Sequence, residues 1–93
     1  MQRPAKKRLT PERAFAQVLR QVRTERGLSQ EKLGFESGYH RTYIGMIERG
    51  LMNPSLRTIL SIASVLEVSA GELVRRTEAA LGSGWKRERE ERN

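Results

Sequence analysis

The side chains with most to offer a partner fall within one stretch, residues 27–50, GLSQEKLGFESGYHRTYIGMIERG. Arg41 carries a planar guanidinium that can bond a flat acceptor through two N–H groups at once, and it stands beside Thr42, with a hydroxyl and a methyl. Gln30, His40, Tyr43, Arg49 and, just beyond, Asn53 add polar groups within a short span. This is chemistry of recognition, not of bond breaking. The chain has no paired carboxylates placed for acid–base work, no nucleophile–base set and no phosphate loop, so an enzyme is not expected. His40 is the single histidine and there is no cysteine. A metal site therefore lacks ligands, and no metal or other cofactor is expected.

Two short helices joined by a tight turn would position these groups. Ser29, preceded by Leu28 and followed by Leu33, fits an N-cap inside a hydrophobic staple. The helix then runs from Gln30 to about Glu36 and stops at Gly38, which takes positive φ at no steric cost. A second helix starts near His40 and Arg41 and ends before Gly50. Ile44 and Ile47 give it one thin apolar stripe, leaving Arg41, Thr42, Gly45, Met46 and Arg49 to face elsewhere.

The flanking chain supplies the support. Thr10 and Pro11 read as a cap and first residue of a helix whose buried face is Phe15, Val18, Leu19 and Val22, with Arg13, Arg20 and Arg23 lying away from it. Gly27 ends it. After Asn53 and Pro54, Ser55 caps a fourth helix with the stripe Leu56, Ile59, Leu60, Ala63 and Leu66, widened by Ile62 and Val65. Val68, Ser69, Glu72 and Leu73 form a capping box inside a staple. It opens a fifth helix with Leu73, Val74 and Thr77 inward, fading near Leu81. No stretch alternates with period two. The expectation is an all-α, five-helix domain over residues 10–81, between a disordered basic arm (1–9) and a flexible charged tail (82–93).

Several elements together carry a resemblance. "GLSQ" at 27–30, Leu33, Gly38, Ile44, "IERG" at 47–50, "NPSL" at 53–56 and "IASVLEVSAGEL" at 62–73 resemble the phage repressor and Cro, or XRE, helix-turn-helix family over roughly residues 14–74. "GYHRTYIGMIERG" is especially similar to the controller proteins of restriction–modification genes. The resemblance implies a lambda-repressor-like fold whose second motif helix lies in the DNA major groove. Matched to the repressor pattern, Arg41, Thr42 and Met46 occupy base-facing positions. Arg41 suits O6 and N7 of guanine, and Met46 suits a thymine methyl. Gln30 matches a phosphate-binding glutamine at a helix start, and Arg49 and Asn53 lie where the family touches the backbone. Tyr43 could reach a phosphate or cover the core rim. His40 stands where the family places a serine, threonine or aspartate cap, and reads as a cap or phosphate neighbour. Arg41 and Arg49 have a competing use in ion pairs with Glu36 or Glu48. Glu48 itself suits pairing with Arg20 or Arg23. Gly34 fills a position where the family usually has alanine, and Gly45 interrupts the recognition helix with a poor helix former.

Charge and length bound the partners. The 93 residues carry a net charge of +7. Residues 1–13 hold five basic side chains and one acid, so most of the excess sits in the arm. Such an arm suits a polyanion, and would serve equally as a solvated tail. Because one helix reads few base pairs, a homodimer on a palindromic operator is expected. Its interface candidates are Leu51, Met52, Ile62, Val65 and Leu81. No apolar run approaches the ~20 residues of a membrane span, and no apolar core follows the basic start as in a signal peptide. The expected partner is double-stranded DNA, with no membrane, no small-molecule ligand, and a bacterial cytoplasmic, nucleoid-associated location. The alternative is an antitoxin or adaptor that mainly binds a protein, with DNA binding secondary.

Overall fold

Each of the five helices between residues 11 and 81 starts on a side chain that accepts from its first turn. Thr10 Oγ1 accepts from the Arg13 N–H at 3.1 Å, Ser29 Oγ from Lys32 at 2.9 Å, Ser55 Oγ from Thr58 at 3.1 Å and Ser69 Oγ from Glu72 at 3.0 Å. His40 does the same through its ring, Nδ1 accepting from the Thr42 N–H at 3.0 Å. Each hydroxyl cap is worth about 1 kcal/mol relative to alanine. In the computed structural model, which describes residues 9–83 and 85, the caps open α1 (Pro11–Glu25), α2 (Gln30–Ser37), α3 (Arg41–Glu48), α4 (Leu56–Leu66) and α5 (Ala70–Leu81). No strand occurs among the described residues. Residues 1–8 of the arm, and residues 84 and 86–93 of the tail, lie outside them.

The core is built where these helices meet. α1 packs on α5 and α3, α2 on α3 and α4, and α4 on α5. Leu19, Leu33, Ile44, Ile47, Ile62, Leu66 and Leu73 are fully buried there. Each such side chain stabilises the fold by about 1.5–3 kcal/mol relative to exposure. Leu28 packs half-buried on the cluster that holds Leu33, as a staple would. Gly38 ends α2 at φ +88, which turns the chain sharply into α3.

Five expectations fail, each for a reason the contacts show. Arg23 is not directed away from the core: it is buried and bonded to Glu48. On α4 the inward stripe is Thr58, Ile62, Ala63 and Leu66, while Leu56 and Leu60 are 71% and 52% exposed. Thr58 can point inward because its hydroxyl donates to Tyr39 Oη at 2.9 Å and contacts Ser55 Oγ at 3.0 Å. Those bonds remove the cost of burying it. Ile62 thus belongs to the core, and a side chain with no exposed surface cannot form the dimer interface expected of it. On α5, Val74 is exposed, because Leu73 fills the inward position one residue earlier. The capping box there is half made. Ser69 caps, but Glu72 bonds Arg75 and Arg76 along the helix, and the bond from Arg76, then that from Arg75, holds its carboxyl below the usual range.

The two glycines of the helical pair differ in kind. A Cβ on Gly34 would lie 2.5 Å from the Tyr39 carbonyl oxygen and 3.3 Å from Arg41 N, both backbone atoms that cannot swing aside. A Cβ on Gly45 would meet only the Gln30 carboxamide, at an ordinary 3.5 Å. The same substitution should therefore act with opposite signs. Gly45→Ala is expected to raise the unfolding free energy by about 1 kcal/mol through helix propensity. Gly34→Ala gains the same propensity, but its overpacking costs about 1–3 kcal/mol, for a net loss. Denaturant unfolding of the two variants checks this; a Gly34→Ala protein as stable as Gly45→Ala would refute the close turn.

Candidate nucleic-acid interface

The outward surface of α3 exists because its inward one is fully used. Ile44 and Ile47 are buried, and Glu48 follows them into the interior at the helix end. At 3.6 residues per turn this leaves the helix start and its opposite side to solvent. His40, Arg41 and Thr42 are exposed there, while Met46 is half-buried further along. The ion-pair alternatives for Arg41 and Arg49 are both occupied: Lys32 Nζ holds Glu36 at 3.1 Å, and Arg23 holds Glu48. Among the described residues neither Arg41 nor Arg49 has an ion pair. Two free guanidiniums thus flank α3, one at each end.

The buried end of α3 is tied by a network that reaches this surface. Arg23 Nε donates to Glu48 Oε2 at 2.6 Å and Nη2 to Oε1 at 3.0 Å, while Nη1 donates to the Leu28 carbonyl at 2.7 Å. Gln30 Nε2 donates to the same Glu48 Oε1 at 3.0 Å. No buried side-chain nitrogen or oxygen among the described residues lacks a partner. Gln30 is therefore not a free side chain at a helix start. One amide proton is committed to Glu48, and its second proton and its oxygen remain, over the gap that Gly45 leaves open.

The remaining candidates divide by what holds them. In a neutral His40 ring that accepts at Nδ1, the proton sits on Nε2, a donor facing outward from an exposed residue. Tyr43 is half-buried against the core with its ring 5.2 Å from that of Tyr39, so it covers the core rim. Asn53 is exposed in the connection after α3. Of the apolar interface candidates, Leu51 is exposed, whereas Met52, Val65 and Leu81 are half-buried. Three features escaped the sequence. Phe35 on α2, Leu56 with Leu60 on α4, and Arg13 laid over Gly50 are surface features. For α4 a signal did exist: Thr58, Ile62 and Leu66 share an i, i+4 row, but a threonine at its head hides it.

A family profile described as helix-turn-helix matches residues 19–73. The chain is 48% identical over 61 residues to control protein C.BamHI of Bacillus amyloliquefaciens, spanning 64% of this chain and 75% of that one. It is similar to the crystal structure of the restriction–modification controller protein C.AhdI from Aeromonas hydrophila. That match has 48% identity and a TM-score of 0.65, and covers 67% of this chain and 94% of the other. It also resembles SinR, the master regulator for biofilm formation, crystallised in complex with DNA, at 34% identity and TM-score 0.62 over 64% of this chain and 97% of the crystallised chain.

The network separates stability from positioning in a measurable way. Glu48→Ala leaves Arg23 buried and unpaired and should lower the unfolding free energy by about 3–5 kcal/mol. The paired change Arg23→Met with Glu48→Leu removes both charges and should fold with little loss. It should nevertheless bind duplex DNA more weakly than the native chain, because nothing then orients Gln30. Denaturation and fluorescence anisotropy on the same preparations test both halves. Native affinity in a folded double variant would show that the network has no part in binding.

Proposed function

The chain belongs to the helix-turn-helix family, and from that premise we propose that it is a sequence-specific, double-stranded DNA-binding transcriptional regulator of restriction–modification genes, acting as a homodimer on a palindromic operator. The observation that carries this is the unpaired, exposed Arg41 beside Thr42 in the first turn of α3, the turn that such a helix brings to base edges. Arg41 bonds guanine through O6 and N7, Thr42 offers its hydroxyl or methyl, and Met46 makes apolar contact deeper along the groove. Gln30, His40 Nε2, Arg49 and Asn53 hold phosphates and set the register, and Tyr43 contributes its hydroxyl from the rim of the core.

Leu51, Met52, Val65 and Leu81 remain in the proposed dimer surface. Exposed Leu56 and Leu60 join Leu51 there in place of Ile62. No described helix is long and apolar enough to cross a membrane, which agrees with work on DNA in the bacterial cytoplasm, associated with the nucleoid. The proposed regulator uses no cofactor, small-molecule ligand or catalysis.

Selection from random duplex DNA at about physiological salt should recover a palindrome with half-sites centred about 10 bp apart. Arg41→Ala should cost about 1–3 kcal/mol on the selected duplex and relax preference at one position of each half-site. Gln30→Ala should weaken binding to all duplexes about equally. Unchanged affinity and preference in Arg41→Ala would mean that another element reads the bases.

A further inference from the structure

We infer that Glu31 is a positioning residue for Arg41: on the duplex, its carboxylate holds the side of the guanidinium that guanine leaves free. The inference rests on the reading of Arg41 given above and adds to it the group that sharpens its choice of base.

The helical pair, residues 27–50, carries three acids, and two of them are engaged. Glu36 is held by Lys32, and Glu48 by Arg23 and Gln30. Glu31 is exposed, with neither an ion pair nor a side-chain hydrogen bond among the described residues. Its place in the first turn of α2 gives it one use, because a helix start favours negative charge. Next to a surface that meets phosphates, however, a bare carboxylate repels every duplex. A helix-start role alone is a poor match for that position.

The fold brings this carboxylate to the foot of Arg41. Glu31, Gly34 and Phe35 stand at i, i+3 and i+4, so they share one face of α2. At Gly34 that face meets the start of α3 so closely that a Cβ would lie 3.3 Å from Arg41 N. Glu31 is three residues back along the same face, about 4.5 Å of helix rise. Accordingly Glu31, Phe35, Tyr39, His40 and Arg41 line one open recess. In the DNA-free fold an unpaired acid and an unpaired guanidinium share it, with two aromatic rings beside them.

Arginine has five N–H donors, and guanine O6 and N7 take two of them. The others face water or, after a small rotation, the nearest phosphate. An arginine free to retreat to a phosphate binds well whatever the base, and so discriminates poorly. A carboxylate behind it opposes the retreat twice, by bonding the spare N–H groups and by repelling the phosphate. Docking squeezes water from the recess, and the attraction between the two charges rises as the dielectric falls. Guanine thus finds Arg41 already aimed, whereas any other base meets a guanidinium that is held in place.

The test measures Glu31→Gln, Glu31→Asp, Arg41→Ala and the double change Glu31→Gln with Arg41→Ala. The probes are the selected duplex and duplexes altered at the base pair whose preference Arg41→Ala relaxes. Thermal unfolding of the Glu31 variants should stay near native, since the residue is exposed. The ratio of affinities, preferred over altered, should fall about 1.5- to 5-fold in Glu31→Gln, the range of an exposed ion pair. Glu31→Asp keeps the charge but shortens its reach, and should lower the ratio as well. Without Arg41, Glu31→Gln should leave the ratio unchanged. Equal gains on all duplexes in Glu31→Gln would show a carboxylate that only repels phosphate, and would overturn the inference. A native ratio in Glu31→Asp would overturn it too, as would an equal fall in the Arg41→Ala background. If Arg41→Ala relaxed no preference, the reading of Arg41 would fall and take this inference with it. If it relaxed one while both Glu31 variants kept the native ratio, only the role of Glu31 would fall.

Discussion

A single carboxylate, that of Glu48, sets the arrangement of the first three helices. It takes two bonds from Arg23 of α1 and one from Gln30 of α2, and Arg23 also holds the Leu28 carbonyl between those helices. Two charges moved out of water lose several kcal/mol of solvation each, and their attraction repays this only when the geometry is good and the other donors are satisfied. Here both conditions hold. The pair is a poor source of net stability and a strong source of uniqueness, because any sliding of α3 along α1 would expose Arg23 or Glu48 to an unpaired burial. The aliphatic contacts around it are less particular, since Leu, Ile and Val tolerate small shifts more cheaply than a bidentate ion pair.

That constraint explains how an eight-residue helix can serve two masters. α3 buries Ile44, Ile47 and Glu48 and leaves Arg41 and Thr42 exposed, the residues proposed to read a partner. An isolated helix of this length would not persist in water. Its order is borrowed from α1 through Arg23, from α2 through the close crossing at Gly34, and from the caps at either end. Rigidity matters for reading, since a guanidinium that must find two acceptors at once gains little if its own helix has to be ordered on contact.

How much of this was legible in the sequence depends on the kind of signal. Caps are local, and Thr10, Ser29, Ser55 and Ser69 announced their helices because a hydroxyl just ahead of a periodic run has few other uses. The glycine at 38 was legible for the same reason. The errors lie where a polar residue takes an inward place: Thr58 and Arg23 are each buried only because a partner distant in the chain satisfies them, and no local pattern contains that partner. Putting Thr58 inward turned α4 and sent Leu56 and Leu60 to the surface. Of the interface residues, the elements that carry them were readable, whereas the second use of Gln30, as a ligand of Glu48, was not. It needs residues 18 apart to meet.

His40 has a consequence that concerns the approach of DNA. A helix cap is judged by what it does for the first free amides, and by that measure an aspartate serves as well as an imidazole. An aspartate, however, would set a full negative charge at the edge where the proposed phosphate contacts lie. At about 5 Å in water that repulsion is near 1 kcal/mol for each phosphate, and more once solvent is squeezed out. The imidazole supplies the same acceptor without a negative charge. The residue that starts α3 is therefore compatible with the peptide dipoles behind it and with the polyelectrolyte proposed in front.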